Sequence, residues 1–212
     1  MNTQENPLEE HTDKTSDTSF LLIIAVIACI FILIFSIGYY FIKREKSQPP
    51  ETITYKGFTF VNAYGLWNTE WQSGNNIYNL HFHYNPLQTE NISVDIRNPL
   101  SASFNGTEYY ITFDPLGNNS DYVKIAILEL ELSLVKTFGT KPIAACTENT
   151  TEACHSRPII TCKDQDKAVV YFINKEPAQV IIDDNCLTIQ GKDLELVRAT
   201  DKVLYTFYGF FK

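Results

Sequence analysis

The stretch SDYVKIAILELELSLVKTFG, residues 120–139, decides how the folded part of this chain is read. Val123, Ile127, Leu130, Leu134 and Phe138 recur at three- and four-residue spacing, which predicts one amphipathic helix. Ser120 or Asp121 suits its start, and Gly139 suits a left-handed stop. Immediately before it, EYYITF (108–113) is a short β-branched and aromatic run closed by Asp114-Pro115. After it comes a polar loop, then PIITC (158–162). Strand, helix and strand in this order predict a right-handed crossover between parallel strands, with PIITC as the second strand.

Further along, AVVYFI (168–173) is apolar throughout and reads as a central strand buried on both faces. AQVIID and CLTIQ flank Asp184-Asn185, a two-residue hairpin turn. A last helix is expected from Asp193 as N-cap, with Leu196, Val197, Val203, Leu204 and Phe207 as its buried stripe. On the N-terminal side, TITYKGFTFVNA reads as a strand pair or bent strand. LWNTEW and NIYNLHFHY flank the hairpin-loop chemistry of QSGNN, and ISVDI is a short alternating strand. The expected fold class is α+β: an N-terminal transmembrane helix, then one mixed or antiparallel sheet packed by two helices.

The transmembrane assignment rests on residues 20–42, FLLIIAVIACIFILIFSIGYYFI, which carry no charge and no polar stripe. At 1.5 Å per residue the run crosses a hydrocarbon core of roughly 30 Å. Tyr39 and Tyr40 sit near one end, where amphipathic rings favour the membrane interface. The preceding segment is acidic and the apolar run exceeds a usual h-region, which argues against a cleaved signal peptide. Cys29 lies mid-span and reads as a small apolar filler. The expected organisation is an acidic, disordered tail over 1–19, the membrane helix over 20–42, a basic and Pro-Pro linker over 43–52, and the α+β domain over 53–212. Membrane lipid is therefore one partner, through 20–42. From residue 51 on, the chain holds 13 Lys+Arg against 19 Asp+Glu. With no basic patch, nucleic acid is excluded as an expected partner.

Two signals about topology conflict. Lys43, Arg44 and Lys46 flank the C-terminal end of the span, against Lys14 alone on the other side, which favours a cytoplasmic domain. The domain itself carries four cysteines and four glycosylation sequons, at Asn91, Asn105, Asn118 and Asn149. Disulfide-type cysteine usage belongs to oxidising compartments. The expectation is an extracytoplasmic domain.

The cysteines are Cys146, Cys154, Cys162 and Cys186. No C-x₂₋₄-C knuckle is present for a structural zinc site, and no C-x-x-C for a thioredoxin-like redox centre. Two disulfides remain, with Cys146–Cys154 and Cys162–Cys186 as the expected pairing. The first encloses a polar run with no core of its own. The second joins the end of PIITC to the start of CLTIQ.

His81 and His83 lie two apart on a strand and can share a metal in principle. Alternation with Tyr78, Leu80, Phe82 and Tyr84 instead puts them on a solvent face, so no metal ligand and no cofactor is assigned. Asp114, at a strand end before a helix, and Asp183 with Asp184 are candidate acid/base carboxylates, though each stands in turn-forming sequence. His155 is a further candidate ligand without an obvious partner. The chain contains no G-x-S-x-G, HExxH, GxxxxGK[ST] or GxGxxG pattern.

RPIITCKDQDKAVVYF and IIDDNCLTIQGKDLELVRATDKVLY, with YKGFTF, YNLHFHYNP and YITFDP upstream, resemble a family of small, single-pass archaeal membrane proteins without an assigned activity. The resemblance covers most of 55–208. It implies a membrane-anchored, cysteine-bearing α+β domain and transfers no functional residue. Three functions are open at this point. The leading one is a non-catalytic, membrane-tethered extracytoplasmic domain that binds or assembles with another membrane or envelope protein. The second is a membrane-anchored hydrolase using Asp114 with Asp183, Asp184 or the histidines. The third is a cytoplasmic adaptor with reduced cysteines.

Overall fold

The computed structural model describes residues 15–45, 49–117 and 121–211. The expected tail is outside these residues up to position 14, as is the sequon at Asn118. The chain forms two compact units, divided between Pro49 and Pro50.

The first unit is helix α1, Thr15–Glu45. Its Phe20–Ile42 segment has a mean hydropathy of 3.4 and buries nothing within the protein, so it is a candidate membrane-spanning helix. Twenty-three residues rise about 35 Å, enough to cross a bilayer core.

The second unit is α+β, and its strands divide between two sheets rather than one. The first sheet is an antiparallel meander of β1 (Thr52–Tyr55), β2 (Phe58–Ala63), β3 (Leu66–Ser73) and β4 (Asn76–Phe82). Its hairpins are tight. Lys56-Gly57 and Tyr64-Gly65 each place both turn residues at positive φ, the conformation whose twist matches that of flanking strands.

The short helix α2 (Pro86–Thr89) follows, its N-terminus closed by a reciprocal Asn85–Gln88 capping box. The second sheet comprises β5 (Ser93–Asn98), β6 (Glu108–Phe113), β7 (Lys141–Ala144), β8 (Val169–Ile173), β9 (Gln179–Asp183) and β10 (Cys186–Gln190). Its order is β5-β9-β10-β8-β6-β7. Only the β9–β10 hairpin is antiparallel. Helix α3 is Asp121–Phe138, α4 is the single turn Glu152–His155, and α5 is Leu194–Phe207.

The crossover exists, but its second strand is not PIITC. Gly139 ends α3 with φ 64°, and Thr140 alone separates it from β7, which pairs in parallel with β6 from Glu108↔Lys141. Residues 158–162 contribute only an isolated bridge between Ile159 and Cys146. The strand that wins, KPIA, is four residues long and contains Pro142. A proline is tolerated there because β7 is an edge strand.

Helix α5 is buried over nearly its whole circumference, including Thr200, Asp201, Lys202 and Tyr205. A helix of that kind needs a layer on each side, and this explains the second sheet. Tyr205 packs on Phe60 and Phe82 of the antiparallel sheet, with ring centroids 5.8 and 4.3 Å away. Leu196 and Leu204 join Leu187, Ile189 and Val180 of the mixed sheet in the same core. Asp193 stands at the N-cap but makes no side-chain cap bond. Its φ of 55° and ψ of −123° are not the extended backbone from which a cap folds back on the first turn.

The β10–α5 junction is close enough to require glycine. A Cβ on Gly191 would stand 2.6 Å from the backbone of Glu195 and Leu196. Gly191→Ala is therefore expected to destabilise by about 1–3 kcal/mol, the cost of overpacking a rigid contact. Urea unfolding of the variant beside the parent checks this.

The other face of the mixed sheet carries a separate buried patch. Ala145, Cys146, Cys154, Val169 and Cys186 are buried outside the main core. AVVYFI is thus covered on both faces, as its composition indicates. Cys146 and Cys154 have Cα atoms 5.9 Å apart, and Cys162 and Cys186 5.2 Å. Both separations are disulfide distances.

Candidate functional site

The residues singled out from sequence do not converge. β9 runs antiparallel to β10, which is parallel to β8 and β6. Asp183 and Asp184 therefore sit at the end of the sheet where β6 and β8 begin. Asp114 follows β6 at the opposite end. Four residues of strand, roughly 13 Å, separate the two ends. Each aspartate also has a local task. Asp114 Oδ1 accepts from the Leu116 N–H at 2.9 Å, closing its own turn. Asp183 accepts from Asn98 Nδ2 at 2.8 Å. Asp184 holds the hairpin turn at φ 55°, and its carbonyl accepts from the Ser101 N–H.

The two histidines diverge. His81 is exposed on β4, with Nδ1 2.5 Å from Asn68 Oδ1. His83, one residue past the last paired position of β4, is exposed as well, but one edge of its ring turns to α3. Its Nδ1 lies 2.8 Å from Glu129 Oε2, and its backbone N–H donates to Glu129 Oε1 at 3.2 Å. His155 is exposed on α4. Among the described residues, no three of His, Cys, Asp or Glu are grouped to hold a metal ion.

What the structure does assemble is a buried acid pair that the sequence did not mark. Glu129 on α3 and Asp201 on α5 face each other where the two helices pack. Asp201 is fully buried, and the Glu129 side chain is 6% exposed. The Tyr84 N–H donates to Asp201 Oδ2 at 2.8 Å. The Tyr205 hydroxyl donates to the Tyr84 carbonyl at 2.5 Å. The loop from β4 to α2 is thus pinned from one side by α3 and from the other by α5.

Burial pushes the Asp201 carboxyl well above the usual carboxylate range, and the charge of Glu129 and a hydrogen bond with it push the same way. Asp201 Oδ1 has no donor within bonding geometry. A proton on Oδ1, directed at Glu129, is the arrangement consistent with both facts. The Glu129 hydrogen bond also raises the His83 imidazole, more than burial lowers it. The two principal cavities of the unit are lined by neither acid.

A charge on an apolar stripe was the available signal. Asp201 falls four residues from both Val197 and Tyr205, and Glu129 adjoins Leu130. Both read as core positions once the helical wheel is drawn from the buried residues.

Comparison of this chain with protein-family models, with curated proteins and with solved structures finds no match.

Proposed function

We propose that this protein is a membrane-tethered domain displayed on the extracytoplasmic side, where it binds or assembles with another membrane or envelope protein. The observation that carries this reading is the pair of cysteine couples at disulfide distance in the unit that follows the candidate membrane helix. Disulfides persist in oxidising compartments. The described sequon residues Asn91, Asn105 and Asn149 are all exposed, as glycan acceptors must be. The basic residues at 43, 44 and 46 weigh the other way, but large domains translocate despite flanking charge. Asp114 stands at the opposite end of the mixed sheet from Asp183 and Asp184, which weighs against the hydrolase reading.

The test is thiol alkylation in intact native membranes before and after reduction, read by mass spectrometry. The expected result is that Cys146, Cys154, Cys162 and Cys186 are blocked only after reduction, while protease added from the extracytoplasmic side digests the domain. Four thiols that alkylate without reduction, together with protection from that protease, would establish the cytoplasmic adaptor instead.

A further inference from the structure

Helix α3 carries two apolar stripes. Val123, Ala126, Leu130 and Leu134 are buried against the rest of the unit. Ile125, Leu128, Leu132 and Val135 lie on the outward side, between 36% and 68% exposed. Apolar residues scattered singly over a surface are ordinary, but these four form one continuous row, and such a row marks an interaction surface. Their spacing is three, four and three residues. Those are the a and d positions of a heptad, the seam that one helix offers to another. A strict a/d row is narrower than the stripe by which a helix lies on a sheet or a core.

The charges beside the row say what covers it. In the same heptad Glu131 is a g position and Lys136 an e position. In a parallel pair of helices a g residue faces the partner's e residue five positions on, and opposite charges there set the pairing. Five positions on from Glu131 is Lys136, so two copies of α3 complement each other. Partial burial raises the Glu131 carboxyl, with no cation at hand to lower it. Lys136 is exposed, and the bond of its Nζ to the Asn79 carbonyl at 2.6 Å leaves two more donors for a carboxylate. Lys124 and Glu129 make a second couple of the same sense, but Glu129 is turned inward to His83 and Asp201 and adds nothing. An antiparallel pair centred on the row would instead set Glu131 almost opposite its own copy. Two chains tethered in one membrane are related by a twofold axis along the membrane normal, and helices lying along such an axis run parallel. Four apolar side chains from each copy make a small seam, and confinement to one membrane supplies the effective concentration that a small seam needs.

We propose that the outward row of α3 is a self-association surface: two copies of this chain in one membrane pair α3 with α3 in parallel, Ile125, Leu128, Leu132 and Val135 forming the seam and Glu131 of each copy meeting Lys136 of the other. This names a partner for the tethered domain and rests on that reading for the shared tether alone. Which side of the membrane the domain occupies does not enter, so the test below and the alkylation test fail separately.

The full chain is labelled at its N-terminus with a donor or an acceptor fluorophore in separate batches, and the two are reconstituted together into liposomes. Energy transfer is followed as the protein-to-lipid ratio is raised. The expected result is saturable transfer above the level of random encounters, suppressed by unlabelled chain. Leu128→Asp with Leu132→Asp puts four carboxylates into the seam and should weaken association by more than about 100-fold. Glu131→Lys and Lys136→Glu should each weaken it about tenfold, because attraction becomes repulsion at two symmetric places. The two reversals together restore the complement and should return association to within about threefold of the parent. Circular dichroism checks that each variant is folded, and if the aspartate pair is not, the charge reversals carry the test by themselves. Transfer no higher than random encounters would overturn the proposal and leave the row to lipid or to an unlike partner. Undiminished transfer in the folded aspartate variant would overturn it by placing the association in the membrane helix. A double reversal as weak as the single ones would overturn the parallel pairing.

Discussion

Replacing Cys162 and Cys186 together by alanine is expected to lower the stability of the folded unit by about 3 kcal/mol. The two are 24 positions apart and bracket β8 and β9, two of the four interior strands of the mixed sheet. In the unfolded chain the crosslink removes the freedom of a loop of that length, which is the source of the figure. Cys186 is also buried, in register opposite Val169, so its loss touches the patch that covers AVVYFI from outside. Cys146 and Cys154 are only eight apart. Their replacement should cost less, by about 1 kcal/mol, because closure entropy grows with the logarithm of loop length. Guanidinium unfolding of the oxidised parent and both double variants measures the order. Since domains are stable by about 5–15 kcal/mol, the larger loss is a substantial fraction of the whole. Equal, near-zero losses for both pairs would show that the crosslinks are not formed in the folded protein.

Most of the local structure could be read from sequence because it obeys short-range rules. The candidate membrane helix follows from its uncharged apolar run, and the hairpins and α3 from turn residues at fixed offsets and from periodicity. What escaped depends on contacts between distant segments. One sheet was expected because nothing in a strand's alternation says which sheet it joins. The division follows from α5, whose Tyr205 packs on the antiparallel sheet while its Val203 lies with Val180 and Leu187 of the mixed sheet. PIITC has strand composition and KPIA, with its proline, does not, but the single residue between Gly139 and Lys141 brings the chain directly back beside β6. Phe138 falls on the apolar stripe of α3 yet is 45% exposed, edge-on to Trp71 and stacked on Tyr208. Alternation correctly leaves His83 exposed, but it says nothing of the Glu129 carboxyl that reaches its ring from α3. The acid pair escaped for a different reason: each member falls on its helix's apolar stripe, but the two come from helices about 70 residues apart, and nothing local in sequence says that they meet.

The acid pair supplies the second large prediction, a pH response opposite in sign to ordinary acid denaturation. Asp201 is raised in the folded state by burial first, then by Glu129. A raised carboxyl contributes stability that is complete below its unfolded value, near pH 4, and is lost as pH climbs towards the folded value. His83 is also raised, chiefly by its Glu129 hydrogen bond. Its contribution is complete below about pH 6.5 and is likewise lost on going alkaline. Both groups therefore make the protein less stable as pH rises. Asp201→Asn isolates the first. Its amide can donate to Glu129 where the protonated acid does, and its carbonyl can accept from the Tyr84 N–H, at every pH. Near pH 4 the variant should match the parent. Above that it should gain on the parent by up to about 1.4 kcal/mol per pH unit, until the buried acid itself ionises. Asp201→Leu has the opposite effect, because it strands the Tyr84 N–H inside the core at a cost of about 1–3 kcal/mol. Urea midpoints of the three proteins between pH 4 and pH 8 decide the matter. Parallel curves for Asp201 and its asparagine variant would mean that no proton is shared. A gap that widens with pH would mean that the joint between α3, α5 and the β4–α2 loop holds its proton as a structural component.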